Sequence, residues 1–417
     1  MSNLPAPLSG KLCPDKYPFI RETLTVRLPQ IITKTIDRLV RLPRDNHSNL
    51  DTQIKQAIHE LQKLRHGLHR NYSFGKNSDG TEKLWFEAKW LELECYMYRE
   101  IHRIVTAFSE LSGFDYFLES KLLAEGVILP KIDETCLKEL LHMSLWANRK
   151  DLSLSAGEVD EKSENSEVNV SDLANNLLID KTGEILEILK KSKSVAFVLD
   201  NCGWEFFSDL KLAKHLQKTQ GTKICFYPKQ IPWFVSDVTN SDVNRLKKTN
   251  PENTDFEFEV KGNGFWTTDK SCFEMSEQLK KELSGFDAVI FKGDLNYRKL
   301  VGDLAWDFGS EKLGSENLAS ENLNSVFKKL DFELDTNIIV LRTLKSEVCV
   351  GLEKVDISKL DSDWLVTGKY GVIDLVQSKN KCWMLRKKRH QKASKSVKNT
   401  KSSWKSVNHP HAQPLNY

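Results

Sequence analysis

An apolar run, Val195-Ala196-Phe197-Val198-Leu199, ends directly at Asp200-Asn201. Farther on by 37 residues, the stretch Ile231-Pro232-Trp233-Phe234-Val235-Ser236-Asp237 ends at a second carboxylate. The first run has the unbroken apolar character of a strand buried on both faces of a parallel sheet. In open α/β sheets the ligand crevice lies just outside the carboxyl ends of such strands. Two carboxylates and one amide oxygen are then set to converge on one crevice. An all-oxygen donor set suits a hard or borderline divalent cation, Mg²⁺ or Mn²⁺, better than zinc held by thiolate or imidazole. An Asp at a strand end is also a common turn residue or helix N-cap, so these two segments alone leave both readings open. The pattern recurs, however. Ala288-Val289-Ile290-Phe291 leads into Lys292-Gly293-Asp294-Leu295-Asn296-Tyr297-Arg298-Lys299, and Ile338-Ile339-Val340-Leu341 leads into Arg342-Thr343-Leu344-Lys345. Four strand ends carrying acid, acid, mixed polar and base exceed what turn chemistry needs.

The elements that must position these groups change style along the chain. Residues 20–41, 54–68, 84–105 and 137–146 read as helices from apolar spacing near 3.6, with Pro29 opening a new helix because it cannot sit in a helix interior. Residues 71–81 read as a polar, Gly-containing loop. The aromatics Trp85, Phe86, Trp90, Tyr96 and Tyr98 read as core and packing surface, not as a base-stacking platform. Beyond a Glu- and Ser-rich stretch, helices at 173–189, 206–217 and 275–283 alternate with strands at 195–199, 223–227 and 288–291. That alternation predicts a parallel sheet with helices on both faces. The expected fold is a Rossmann-like α/β/α sandwich preceded by an N-terminal all-α domain. Its parts are a helical domain at 8–155, a mobile acidic and Ser-rich linker at 156–172, an α/β metal- and phosphate-binding domain at 173–380, and a basic disordered tail at 386–417. Residues 309–324 repeat a short motif, Gly314-Ser315-Glu316-Asn317-Leu318 and Ala319-Ser320-Glu321-Asn322-Leu323, as a local duplication in a surface loop.

Composition excludes several classes. With 417 residues, 40% of them hydrophobic, ten Trp and twenty Phe, the chain can bury a sizeable core. No run approaches a membrane span, and the first eleven residues lack a charged-then-apolar leader pattern. The eight cysteines are scattered without a CxxC, as ordinary thiols in a reducing cytosol would be, which also argues against zinc fingers. The net charge of +3 hides an asymmetry. Nine of the 61 Lys and Arg lie between Arg386 and Tyr417 with no acid among them, leaving 52 basic against 58 acidic residues elsewhere, a net of −6. Arg386-Lys387-Lys388-Arg389 reads as a solvated tail, or as a nuclear-import or nucleic-acid contact, and is the only route to nucleic acid in the sequence. The expected location is the cytoplasm, with the nucleus as the alternative, and the expected state is a monomer.

Several segments together resemble the damage-control phosphatase family, in its acidic-residue-methyltransferase-like branch of sugar-phosphate phosphatases. They are Leu199-Asp200-Asn201-x-Gly203-x-Glu205, the 231–237 stretch, Phe291 to Lys299 and Arg342-Thr343-Leu344-Lys345. Trp364-x-x-Thr367-Gly368-Lys369-Tyr370-Gly371 belongs with them, as do Glu94-Cys95-Tyr96-Met97-Tyr98-Arg99 and Ser144-Leu145-Trp146-x-Asn148 in the helical half. The resemblance runs from Leu8 to about Ile373, with a short loop between Leu68 and Leu84 and the basic tail as departures. It implies Asp200, Asn201 and Asp237 as ligands of Mn²⁺, Co²⁺, Ni²⁺ or Mg²⁺, and Glu205 as a substrate contact. It further implies Asp294, Leu295, Asn296, Tyr297 and Arg298 as the substrate lining, and Lys345 as holder of the phosphate. Asn296 and Tyr297 are then expected to read hydroxyls. The implied substrates are small ketose phosphates such as fructose 1-phosphate and fructose 6-phosphate.

The residues agree with such chemistry. Phosphate monoester hydrolysis is mainly positioning plus neutralisation of charge on the equatorial oxygens. Lys345 supplies a point charge and Arg298 a forked donor. Attack by metal-activated water is expected, with Asp237 or Asp294 accepting the proton, while an aspartyl-phosphate on Asp200 is the other route. The rival chemistry is methyl transfer from S-adenosylmethionine to glutamate carboxylates of proteins, which the branch's name records and which would link the chain to the DNA damage response. Such methyltransferases usually follow their first strand with a Gly-rich loop. Here that loop is Asp200-Asn201-Cys202-Gly203-Trp204-Glu205, acidic and with one Gly, so phosphatase ranks first. A non-enzymatic scaffold with a basic tail would leave the acids unexplained.

Overall fold

A computed structural model describes residues 4–11, 17–43, 48–125, 135–150, 173, 175–306, 321–353 and 355–379. The expected linker at 156–172, most of the duplicated stretch at 309–324 and the basic tail at 386–417 lie outside the described residues.

The apolar runs become the middle of a seven-stranded sheet. Its strands are β3 (Leu177–Asp180), β4 (Ser194–Val198), β5 (Lys223–Tyr227), β6 (Glu259–Val260), β7 (Ala288–Lys292), β8 (Asn337–Thr343) and β9 (Gly371–Val376), in the order β3-β9-β8-β7-β4-β5-β6. Five neighbours, β8-β7-β4-β5-β6, run parallel, and β9 turns back antiparallel to β8 with β3 parallel to it at the edge. β7 and β8 are buried along their whole length, which is why their sequences show no alternation. The expected helix at 173–189 is corrected here. Leu177–Asp180 pairs with β9 as an edge strand, the Asp180 carboxylate accepts the Thr182 N–H at 2.8 Å, and only Thr182–Leu189 is helical (α7). Likewise residues 71–81, expected as loop, contribute β1 (Ser73–Lys76) to a hairpin with β2 (Glu82–Leu84).

The remaining helices are α1 (Pro18–Glu22), α2 (Leu28–Val40), α3 (Ser48–His69), α4 (Trp90–Thr106), α5 (Leu118–Glu125) and α6 (Leu137–Trp146) in the first part of the chain. A π turn, Thr23–Arg27, joins α1 to α2, and Pro29 falls in the first turn of α2, where its missing N–H costs nothing. Later come α8 (Trp204–Gln220), α9 (Asn240–Thr249), α10 (Glu277–Ser284), α11 (Gly293–Leu300) and α12 (Leu323–Lys329).

Strand alternation divides the interior into two layers. Ala196, Val198, Val289 and Phe291 face one buried cluster that continues without a break through Ile32, Trp90 and Met97 of the helical half. Val195, Phe197, Ile290 and Ile339 face a second, covered by Ile185, Phe206 and Leu210 together with Leu140, Leu141 and Leu145 of α6. The helical half therefore shares a core with the sheet. α6, which the sequence groups with the first domain, packs on the opposite face beside α8. Ion pairs pin the two parts together, among them Arg245 to Glu125 at 2.6 Å and the fully buried Lys121 to Asp242 at 2.7 Å.

Candidate active site

Asp200 and Asn201 leave β4 at its carboxyl end, and Asp237 reaches them from the loop that follows β5. The loop and the strand end are stitched by two backbone bonds of 2.7 Å, from Cys202 N–H to Ser236 O and from Val238 N–H to Asp200 O. These form a short antiparallel bridge at Asn201 and Asp237. Residues 231–237 are thus a tight turn, not a strand, with Phe234 at φ 41° and Val235 at φ 68°. A β-branched residue in the left-handed region is strained by about 1–3 kcal/mol, and such strain persists where packing over-determines it. Here the anchors are aromatic. Trp233 is fully buried, and Phe234 stacks on Tyr98 of α4 with ring centroids 4.6 Å apart. The helical half thereby fixes the loop that delivers Asp237.

Amides crowd the first carboxylate. Asp200 Oδ2 accepts from Asn148 Nδ2 at 2.7 Å and from Asn201 Nδ2 at 3.0 Å. Glu205, in the first turn of α8, accepts from the Asn201 side chain at 3.0 Å, from its backbone N–H at 3.3 Å, and from Asn148. Ser236 donates to Asn201 Oδ1 at 2.6 Å. Gly293 is the seat of this cluster. At φ 78° it opens α11, and a Cβ there would lie 1.8 Å from Asp200 Oδ2. Only glycine lets that carboxylate rest on the backbone.

The later strand ends complete the floor. Asp294 accepts from Arg342 Nε at 2.8 Å and from the Lys345 backbone N–H at 3.2 Å. Lys345 Nζ donates to the carbonyl of Asn148, whose side-chain oxygen accepts from Thr343 at 2.7 Å. One cleft is lined by Asp200, Asp237, Asp294, Leu295, Arg298 and Lys345 from the sheet side, and by Phe19, Arg27, Trp90, Glu94 and Phe234 around the rest. Asn201 and Glu205 lie beneath Asp200. Asn296 and Tyr297 are not in the lining. The Asn296 amide donates to the carbonyls of Leu199 (3.1 Å) and Lys292 (2.7 Å), while the Tyr297 hydroxyl accepts the Val350 N–H at 3.0 Å. Both brace the strand ends. Arg298 is committed to Asp303 at 2.7 Å and Glu94 at 2.7 Å, with its guanidinium 3.8 Å from the Trp90 ring centroid.

Several functional neighbours escape the sequence reading. Lys229 is fully buried, donates to Leu199 O at 2.7 Å and pairs with Asp237 at 3.1 Å. It lies two residues past β5, the same strand-end position that marks Lys345. Lys292 sits beneath Glu205 (3.4 Å) and Asp209 (3.0 Å), and burial pushes the Asp209 carboxyl up to about 7. Burial likewise raises Glu94, against the pull of Arg298 and Arg27. Phe19, Arg27 and Trp90 carry no signal of their own, because on a helix they look like core positions.

The donor set fits a hard divalent cation. Asp200, Asn201 and Asp237 offer oxygen only, are buried, and are held together by the backbone bridge. Turning the Asn201 amide over would present its Oδ1 on the Asp200 side and leave Nδ2–H for the Ser236 hydroxyl, which can accept as well as donate. Among the described residues no three His, Cys, Asp or Glu side chains gather as a metal cluster, so a cation here would take the amide as its third ligand.

Residues 23–360 match the domain described as Damage-control phosphatase ARMT1-like domain. The chain is 32% identical to Damage-control phosphatase ARMT1 of Homo sapiens, over 89% of this chain and 98% of the relative. It is 33% identical to the protein of that name from Bos taurus, over the same shares. Among solved structures, a DUF89 family protein from Pyrococcus horikoshii aligns over 75% of this chain and 95% of its own, with 14% identity and a TM-score of 0.35.

Proposed function

The chain belongs to the ARMT1-like family of damage-control phosphatases, and on that premise we propose that it is a divalent-metal-dependent phosphatase of small phosphorylated metabolites. Ketose phosphates such as fructose 1-phosphate and fructose 6-phosphate are the proposed substrates. The observation that carries the reading is the bridge at Asn201 and Asp237, which gathers two acids and an amide at the end of β4, in the cleft that also holds Lys345.

Asp200, Asn201 and Asp237 would hold the cation, Mn²⁺, Co²⁺, Ni²⁺ or Mg²⁺. When bound, such an ion neutralises phosphate charge and acidifies a water molecule. Lys345 offsets the negative charge that develops on the transferring phosphoryl group, and Asn148 holds its ammonium in place. Asp294 is kept in position by Arg342 and the Lys345 backbone, so it or Asp237 takes the proton of the attacking water. Glu205 fixes Asn201 through its backbone N–H, a tie that does not depend on which way the side-chain amide is turned. Phe19, Trp90 and Phe234 wall the cleft with apolar surface and exclude competing water.

Methyl transfer from S-adenosylmethionine draws no support. The turn after β4 is filled by Asp200 and Glu205, which both accept from the Asn201 amide, and the relatives bear the phosphatase name. Among the described residues no helix is long and apolar enough to cross a membrane. Cytoplasmic location, a nuclear share directed by the basic tail, and a monomeric state belong to the same proposal. The test is phosphate release from a panel of sugar phosphates, nucleotides and phosphopeptides, with each divalent metal and with chelator. Metal-dependent turnover strongest on ketose phosphates is expected. Turnover of nucleotides or phosphopeptides alone would overturn the substrate assignment.

A further inference from the structure

The cleft has a floor of strand ends and a roof of helices, and one roof residue is placed by an irregularity of the backbone. Thr23–Arg27 is a π turn inserted between two α-helices. Inserting a residue rotates the downstream helix by about 100°, and π turns recur at functional sites for that reason. Within this turn Thr25 and Val26 face solvent while Arg27 is directed into the cleft lining, only 8% exposed. Its fork is oriented from two sides. It donates to the Thr23 hydroxyl at 2.9 Å, and its guanidinium lies 4.8 Å from the Phe19 ring centroid. The whole segment is fastened to the floor by Glu347, two residues past Lys345, which accepts the N–H groups of Phe19 at 3.0 Å and Ile20 at 3.4 Å. The cleft's other arginine, Arg298, bridges Glu94 and Asp303, and Arg27 also acts on the Glu94 carboxyl.

We propose that Arg27 is a specificity-determining residue that reads the end of the substrate remote from the phosphate. This rests on the phosphatase reading, which puts the phosphate at Asp200, Asp237 and Lys345 on the floor. The other end of a small substrate then points at the roof. A guanidinium only donates, so it selects acceptors: the hydroxyl and carbonyl oxygens of a phosphorylated sugar, or a second phosphate on it. An aryl group carries no hydrogen-bond acceptor for it.

The experiment compares full-length wild type, Arg27→Gln and Arg27→Lys on fructose 1-phosphate and on phenyl phosphate, with thermal melting as the fold control. Loss of a hydrogen bond from a charged donor corresponds to about a 10–100-fold fall in kcat/KM. That fall is expected for fructose 1-phosphate in Arg27→Gln, carried mainly by KM. Phenyl phosphate should change by less than about threefold, because its ring accepts no hydrogen bond from the Arg27 fork. Arg27→Lys should recover only part of the loss, since a point charge replaces a fork; it carries the test if Arg27→Gln fails to fold. Equal losses on both substrates, or none on fructose 1-phosphate, would overturn the role of Arg27 while leaving the phosphatase reading intact. If the wild type releases phosphate from neither compound, both readings fall together.

Discussion

The floor and the roof of the cleft are built by opposite means. On the floor, Asp200, Asp294 and Lys345 follow buried apolar strands and Asp237 comes from the turn after β5, and their positions are set by backbone bonds, one glycine and ties to Asn148, Lys229 and Arg342. On the roof, Phe19, Arg27, Trp90 and Glu94 sit on helices whose positions depend on side-chain packing and on ion pairs between residues distant in sequence, such as Glu94 with Arg298. A floor built on strand ends is rigid and specifies the reaction. A roof held by packing and a few polar ties can vary without disturbing that chemistry, and so is suited to selecting the substrate.

This contrast predicts that floor substitutions remove turnover while roof substitutions redirect it. The largest effect is expected for Gly293→Ala. The added Cβ would fall 1.8 Å from Asp200 Oδ2 at a residue already held at φ 78°. Activity should drop to background on every phosphate ester, with a stability loss of about 1–3 kcal/mol, read by kinetics and chemical denaturation. An active Gly293→Ala enzyme would mean that the Asp200 carboxylate is not part of the site. Lys345→Ala should lower kcat by about 10²–10³-fold on sugar and aryl phosphates alike, the scale for removing one donor to transition-state charge. A substrate-selective loss there would erase the distinction between floor and roof.

The smallest effect concerns the tie between them. Burial pushes the Glu347 carboxyl from its ordinary 4.5 up to about 7, against the two backbone N–H bonds that hold it down. A carboxyl raised in the folded state contributes stability that is full below its ordinary pKa and is lost as pH rises towards about 7. Glu347→Gln stays neutral throughout. Its stability relative to wild type should therefore improve between about pH 4.5 and about pH 7 and level off above, by on the order of 2 kcal/mol at most. A pH-independent difference would show that Glu347 does not titrate with folding.

How legible each region is in the sequence depends on the same contrast. Asp200, Asp237, Asp294 and Lys345 stand out because a polar residue that ends an apolar run is conspicuous, and all four line the cleft. The parallel core of the sheet is legible for the same reason. Asn296 and Tyr297 stand out equally, yet they brace the strand ends, since spacing along a short helix does not reveal which side chain turns inward. Arg27 is hidden because it falls on the same helical face as Ile20, Leu24 and Ile31, where the sequence gives no sign of a cleft. β3 and β9 are missed for another reason. Edge pairing is decided by a partner distant in sequence, and the Leu177–Asp180 run is as compatible with a helix as with a strand until β9 is beside it.

The central claim is that the Asp200 carboxylate at the end of β4, the Asp237 carboxylate from the turn after β5 and the Asn201 amide form a divalent-cation site. Calorimetric titration of Mn²⁺ into chelator-treated protein tests it directly, without depending on any substrate. Wild type should bind one equivalent, with Asp200→Ala and Asp237→Ala losing detectable binding and Asn201→Ala weakening it less, because a neutral amide contributes no charge. Unchanged Mn²⁺ binding in either Asp variant, in a protein that still melts cooperatively, would contradict the claim.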